Sequence, residues 1–542
     1  MIESTKKNIL FQALIVLSLL QLCHCVPRQK ILERQKIENL NIRQDAADKA
    51  FQKGHYAALK EAEAIYAFLL SEYSGNTAIP VDLFKTRLLL ALRSKELGIP
   101  GTGFEKKAAE LLENALVPKE MDSYLKIVLL ANTSLPGITG ERSGKGDNSL
   151  EKYFEWARDN ADRISEELEN KAGEPFFAYL HLTLYENFLY WVKKKPDFKA
   201  YKEQFADRPI LRYILALVPQ IDPAGLEDLL KSEPDFHEAL FFLGQYALAS
   251  GKLFTADSLL KKSLNTFPGS ISCLMSLAKI SFALEEYSSA LTLYEKVLSA
   301  LPSYRDALLG QAITQSYLGK HENALTTCRT IQELGMYYMG ESFYWTAWNY
   351  QQMGLLEQAS VSIENAKKYL YGNYEVLLLS GIIDFGLNKM KSAEKNFKDV
   401  LQISALDVEA NFHLGKIAAL NNDWASSGES FLIAAKGGKN TEDALKKRIK
   451  DIQESAFSGE RKERMIRKKE LQLRSTKIKT ATAFYNAAAG FYNAGQLKKS
   501  LECAVESSHH PRFKETAEKL IQKIKKLSSR SVLARKPSLL AF

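Results

Sequence analysis

Between Asp235 and Gly438 small, apolar and polar positions return in a fixed order with a period of about 34 residues. The steps from Gly244 to Ala278 and from Ala278 to Ala312 are equal, and only the next, to Ala347, is longer by one. Gly244, Ala278, Ala312, Ala347, Gly381 and Gly415 share one phase of this pattern. Ala256, Ala290, Ala324, Ala359, Ala393 and Ser427 share another, twelve positions later. Small side chains at both phases predict two helices that cross closely, because a larger group at the crossing would push them apart. Larger fillers follow four positions after the second phase: Leu260, Tyr294, Cys328, Ile363, Phe397 and Phe431. Between the helices sit Gly251, Gly319 and Gly354, with Asn388 and Asn422 at the same phase, which suits a helix that ends in the left-handed conformation. Pro268 and Pro302 close the first two units, where proline stops a helix. One such hairpin cannot bury its apolar face alone, so the pattern predicts a stack of them.

These positions resemble the tetratricopeptide repeat, with its small eighth and twentieth residues, a glycine between them and a late proline. The resemblance implies an all-α fold, a right-handed solenoid of helical hairpins, over six units at 235–438, with a more irregular all-helical part before it. It also implies which side chains face the concave groove. Fifth positions are Phe241, Met275, Leu309, Tyr344, Leu378 and Phe412; ninth positions are Gln245, Lys279, Ile313, Trp348, Ile382 and Lys416. Twelfth positions include Leu248, Phe282 and Phe385, and second positions supply an acidic rim of Glu238, Asp306, Glu341, Glu375 and Glu409. Members of the family that clamp the acidic tails of heat-shock chaperones need lysine and asparagine at the fifth and ninth positions. The largely apolar set in this chain points instead to an extended or helical apolar peptide, one whose basic residues would meet the rim. The same residue types would also serve a superhelix that fills its own groove.

Outside the array the pattern loosens. Residues 26–130 read as degenerate hairpins, one around Gly54 and Tyr56 and another with Gly98 to Gly103 between its helices. Residues 131–148, with five glycine or proline positions, read as a loop, and 149–234 as irregular helices. Its aromatic stretch, Phe176 to Trp191, is expected to be core. From Glu442 to Lys479 thirteen Lys or Arg stand against seven acidic residues, which predicts a solvated basic helix or linker over 439–480, broken near Ser458. Ala488, Gly495 and Ser500 then restore the repeat phase within 481–527, where a lysine-rich last helix caps the stack. Residues 528–542 are expected to be disordered.

The first residues carry a different signal. Lys6 and Lys7 precede an apolar run from Ile9 to Leu22, too short to span a bilayer comfortably and matched to the core of a signal peptide over 1–25. Leu20 stands three positions before Cys23, and Leu22 three before Cys25, which resembles a relaxed bacterial lipoprotein signal. That resemblance implies a lipid anchor on one of these cysteines and a place in the exported cell envelope, held at a membrane surface.

Composition adds mainly exclusions. The formal charge of +9 over 542 residues is interspersed, whereas nucleic-acid binding wants a concentrated basic face. Cys273, Cys328 and Cys503 lie too far apart for a disulfide framework or a metal-ligand spacing. Gly144-Lys145 falls short of a phosphate loop, since Thr139 stands where the first glycine belongs and Gly146 replaces the hydroxyl that binds magnesium. No metalloprotease, nucleophile-elbow or paired-cysteine motif lies beyond the signal segment. The sequence therefore predicts a non-enzymatic scaffold without cofactor, binding an unidentified protein or peptide. The alternative is a ligand-binding accessory subunit of a transporter or envelope enzyme complex.

Overall fold

The structure, a computed structural model, describes residues 33–72, 76–134, 148–187, 192–335, 337–454 and 459–534. The signal segment with Cys23 and Cys25, the glycines of the 135–147 loop, Phe188 to Trp191 and the tail from 535 lie outside these residues. Every regular element among the described residues is helical. The chain divides into two compact units, Met1–Ile280 and Ser281–Phe542.

The first unit opens with α1 (33–53), α2 (Tyr56–Glu72), α3 (Ala78–Leu97), α4 (Phe104–Glu113) and α5 (Asp122–Ser134). It continues with α6 (Asn148–Asn170), α7 (Pro175–Asn187), α8 (Phe198–Gln204), α9 (Pro209–Leu215) and α10 (Pro223–Ser232). The regular repeats begin with α11 (His237–Ala249), α12 (Leu253–Thr266) and α13 (Ile271–Ala283), whose last turn passes into the second unit. The early helices share one core, in which Phe84, Leu88, Tyr124, Ile164, Phe176 and Tyr179 are buried. Gly54 at φ 74° and Gly98 at φ 68° end α1 and α3 in the left-handed conformation that a side chain would penalise.

The second unit holds α14 (Tyr287–Ala300), α15 (Arg305–Tyr317), α16 (His321–Leu334), α17 (Met339–Gln352), α18 (Leu356–Tyr369), α19 (Tyr374–Gly386) and α20 (Met390–Ile403). It ends with α21 (Val408–Leu420), α22 (Trp424–Glu454), α23 (Glu460–Asn493), α24 (Leu497–Ser508) and α25 (Lys514–Ala534).

One turn geometry recurs throughout the array. A backbone N–H just past the turn reaches back to a carbonyl in the last turn of the helix, as in Lys320 to Gln315 at 2.9 Å and Leu355 to Tyr350 at 2.9 Å. This is the six-to-one bond of a Schellman helix end, and it needs one residue at positive φ. Gly251, Gly319, Gly354, Asn388, Asn422 and Gly495 supply it, and so does Glu285 at φ 59°.

The small columns face the fillers as the crossing requires. A Cβ added to Gly244 would meet Leu260 at 2.7 Å, one on Gly381 would meet Phe397 at 2.6 Å, and one on Gly415 would meet Phe431 at 2.9 Å. Glycine opposes Leu260, Phe397 and Phe431; in the unit of Ala278 the large filler Tyr294 finds its room against Gly310. Cys273, Cys328 and Cys503 are buried free thiols.

Two regions add to the expectation. Residues 439–480, expected as a basic long helix or linker, are helical and continuous with the repeats, since α22 starts inside the sixth hairpin and α23 ends inside the seventh. With 31 and 34 residues, both run well past the 13 residues of α19 or the 14 residues of α20. The last helix runs on to Ala534, so residues 528–534 are ordered as helix. Among the described residues no helix is long and apolar enough to cross a membrane.

Candidate functional site

The predicted groove residues separate into three environments. In the first unit Phe241 and Met275 are withdrawn into the core, at 8% and 5% exposure, so neither is available to a partner without repacking. Gln245 is half-buried and donates to the Ser276 hydroxyl at 2.5 Å, and Lys279 is exposed. The rim residue Glu238 is a correction to the sequence reading. It is fully buried, its carboxylate accepting from the Tyr56 backbone N–H at 2.8 Å. A helix-start glutamate looks the same in sequence whether its neighbour is water or another helix.

Glu238 belongs to a sealed charge cluster. Arg93, entirely buried, donates to Glu96 at 2.9 Å, to the Gly54 carbonyl at 3.0 Å and to Tyr179 at 2.8 Å, with Glu238 3.9 Å from its Nε. Tyr213 donates to Glu96 at 2.9 Å, and its ring lies 4.2 Å from the guanidinium. Burial outweighs the nearby Arg93 charge and pushes the Glu238 carboxyl up to about 7. Burial, helped by neighbouring cations, holds His55 and His237 down at about 4. The 3.4 Å approach of His237 to Glu238 is therefore no ion pair at neutral pH. The cluster does bring Tyr179, from the aromatic stretch, together with acids and bases. With Arg93 and Glu238 at 0% exposure it offers no surface to a substrate.

In the second unit Phe282, Tyr344 and Trp348 are half-buried and belong to a continuous run of rings. Phe282 meets Tyr287 at 5.3 Å and Tyr317 at 5.4 Å, and Tyr287 stacks on Tyr317 at 5.1 Å. Tyr317 then meets Trp345 at 5.8 Å and Trp348 at 6.2 Å, and Tyr344 lies 5.3 Å from Trp345. Tyr317 is 50% exposed, so the run opens to solvent at its middle. Reading the fifth, ninth and twelfth positions alone missed Tyr287, Tyr317 and Trp345. Sequence offered only their aromatic character as a signal.

Further along, Leu378, Phe385 and Phe412 are half-buried against the core. Lys416 lies over the Phe412 ring at 4.9 Å and the Phe385 ring at 5.6 Å. A cavity of about 460 Å³ opens beside them, lined by Phe385, Lys416, Leu420, Trp424, Asn486 and Asn493 among others. On the rim, Asp306 accepts from Tyr338 at 2.7 Å, Glu375 is exposed, and Glu409 lies 3.5 Å from His413, whose hydrogen bond holds its carboxyl below the usual range.

The basic segment is not simply solvated. Arg461 grips Glu286 through two N–H groups at 2.5 and 2.7 Å. Lys468 and Lys469 reach the Glu285 carboxylate at 2.9 and 2.5 Å, and Gln472 adds a bond at 3.2 Å. Burial opposes ionisation of Glu285, but the bonds from Lys469, Lys468 and Gln472 prevail and hold its pKa at about 2. A signal for this site did exist. Glu285 is the one acid in a column of glycine and asparagine.

Among the described residues no group of His, Cys, Asp and Glu could hold a metal ion. Residues 226–297 match the family model of the anaphase-promoting complex, cyclosome, subunit 3. No curated protein matches the chain. Similar solved structures include a tetratricopeptide repeat protein from Parabacteroides merdae, 13% identical, covering 53% of this chain and 98% of its own, with a TM-score of 0.32. PilF of Pseudomonas aeruginosa is 18% identical, covering 36% of this chain and 89% of its own at a TM-score of 0.33. YrrB, described as a TPR protein with an unusual peptide-binding site, is 14% identical over 34% of this chain and 95% of its own, at a TM-score of 0.29. The repeat spacing, the recurrent Schellman turn and the small-against-large crossings agree with the tetratricopeptide resemblance, and the matched family model falls on the first of the repeated hairpins.

Proposed function

We propose that the chain is a non-enzymatic interaction scaffold whose second unit binds a partner protein or peptide through its aromatic inner positions. The observation that carries this reading is the run from Tyr287 through Tyr317 to Trp348, apolar, contiguous and half exposed at Tyr317. Aromatic side chains dominate interface energetics because they bury a large area at a small entropic cost. The signal-like segment 1–25 supports placement in the exported bacterial envelope, with a lipid on Cys23 or Cys25 as the tether.

Crosslinking and affinity capture from intact envelopes test the proposal, comparing wild type with a Tyr344→Ala, Trp348→Ala variant. A partner captured by the first and lost from the second supports it; capture that ignores both substitutions excludes these rings as the binding surface. Labelling with a fatty-acid analogue, with Cys23→Ser and Cys25→Ser made separately, tests the anchor. Label that survives both changes rules it out. The cavity beside Lys416 favours a second reading, an accessory subunit that holds a small apolar ligand, which native mass spectrometry of the purified protein would detect as added mass.

A further inference from the structure

At the other recurrent turns of the array the left-handed position belongs to glycine or asparagine, the residues that adopt it most readily. Glu285 holds it against its own preference, at φ 59°. The turn gains nothing from a carboxylate, since its Schellman bond, Glu286 N–H to the Ser281 carbonyl at 2.8 Å, matches that of the glycine turns. What the side chain gains comes from far along the chain. Lys468, Lys469 and Gln472 converge on it, Lys468 donates also to its backbone carbonyl at 2.9 Å, and Arg461 takes the neighbouring Glu286. The Lys468 ammonium meanwhile sits 4.6 Å above the Tyr287 ring, at the head of the aromatic run.

The segment making these contacts exceeds the repeat length and runs beside the equally extended end of α22. The first helix of a hairpin takes 13 residues in α19 and 14 residues in α17, whereas α23 has 34 residues. Its surplus N-terminal arm is covered along two stripes at helical spacing, one at 461, 465, 468 and 472 and one at 462, 466, 469, 473 and 476, whereas Arg464, Arg467, Leu471 and Arg474 are exposed. The arm packs along the extended end of α22, where Ile452 is buried, and meets the turn at Glu285 through charge, by groups that keep partial contact with solvent; such charged contacts exchange readily.

We propose that Glu285, Glu286 and Tyr287 form a docking site for a basic amphipathic helix, that the α23 arm occupies it in cis, and that the partner brings a helix of the same cation spacing to displace the arm. The required spacing is one cation followed by an adjacent pair two helical turns on, as in Arg461, Lys468 and Lys469. The identity of the displacing helix rests on the scaffold reading above; the cis contact and its exchange do not.

The test uses the full chain and a synthetic peptide of residues 460–479. Glu285→Gly installs the residue that the other turns carry, so the hairpin is retained while the anchor is lost. Amide protons of 461–476 should then exchange at least tenfold faster, with those of 480–493 unchanged. Unchanged protection of 461–476 when Glu286→Gln is added would overturn the anchor. Arg461→Glu, Lys468→Glu and Lys469→Glu together should vacate the site. The labelled peptide is expected to bind that variant at least tenfold more tightly than wild type, and to lose this gain when Glu285→Gly is added. Peptide binding that is absent from the vacated variant, or indifferent to Glu285, overturns the docking site. If partner capture still depends on Trp348 in that case, the scaffold reading survives and this inference alone fails.

Discussion

Two regions of the molecule set arginine or lysine against paired glutamates, and to opposite ends. Around Arg93 the ions are sealed: guanidinium, Glu96 and Glu238 sit among Tyr179 and Tyr213 with almost no access to water. Around Glu285 and Glu286 every partner keeps partial contact with solvent. Sealing raises the desolvation cost, so a buried pair adds little net stability, yet removing one member strands a charge. A wetted pair is weak and screened but can open and close without that penalty. The first arrangement fixes which helices meet, while the second lets a helix leave.

Breaking the sealed cluster should have the largest effect. Arg93→Met leaves Glu96 and Glu238 without their cation, and should cost on the order of 3–5 kcal/mol in a urea titration followed by amide exchange in the first unit. Next comes the close helix crossing, which has no charge. Gly381→Leu drives a side chain into Phe397 and should cost about 1–3 kcal/mol, read from exchange in α19 and α20.

Acid should separate the two regions in range. Between pH 6.5 and 4.5 the unfolded chain protonates His55 and His237, which the fold keeps neutral down to about 4. Over the same range the fold protonates Glu238, whose pKa is raised to about 7 from an ordinary 4.5. Asp82, raised by burial to about 6, also takes up a proton in the fold, so below pH 6 the two histidines and the two carboxyls nearly cancel and the first unit should change little in stability through this window. With His55→Gln and His237→Gln the raised carboxyls of Glu238 and Asp82 act alone, leaving the first unit more stable on acidification. The Glu285 clamp has its carboxyl depressed to about 2, so its contribution is intact above pH 4.5 and is lost only as pH falls from there toward 2.

The smallest effect is expected from salt. At about 1 M the Debye length shrinks to roughly 3 Å, so protection of 461–476 should fall while exchange around Arg93 stays as it was.

How far sequence could see follows from the range of each interaction. The repeats were legible because the small residue at Gly381 and the filler at Phe397 lie within one hairpin and obey one geometric rule in every unit. The left-handed turns were legible for the same reason. Glu238 was not, since its burial depends on Arg93 and Tyr56, both far back in the sequence. The basic segment was recognised by its charge, but its destination at Glu285 depends on how the intervening hairpins curve the chain back. Composition carries no trace of that curvature. The misplaced glutamate in the glycine column was the one local clue.

The unbroken length of α23 has a mechanical consequence. A helix of 34 residues is about 50 Å of stiff rod. One end lies in the clamp and the other carries Phe484 and Phe491, which pack with Phe431 in the last core. No loop along it absorbs a rotation, so it acts as a lever: a tilt at Arg461 becomes a torque on the terminal hairpins.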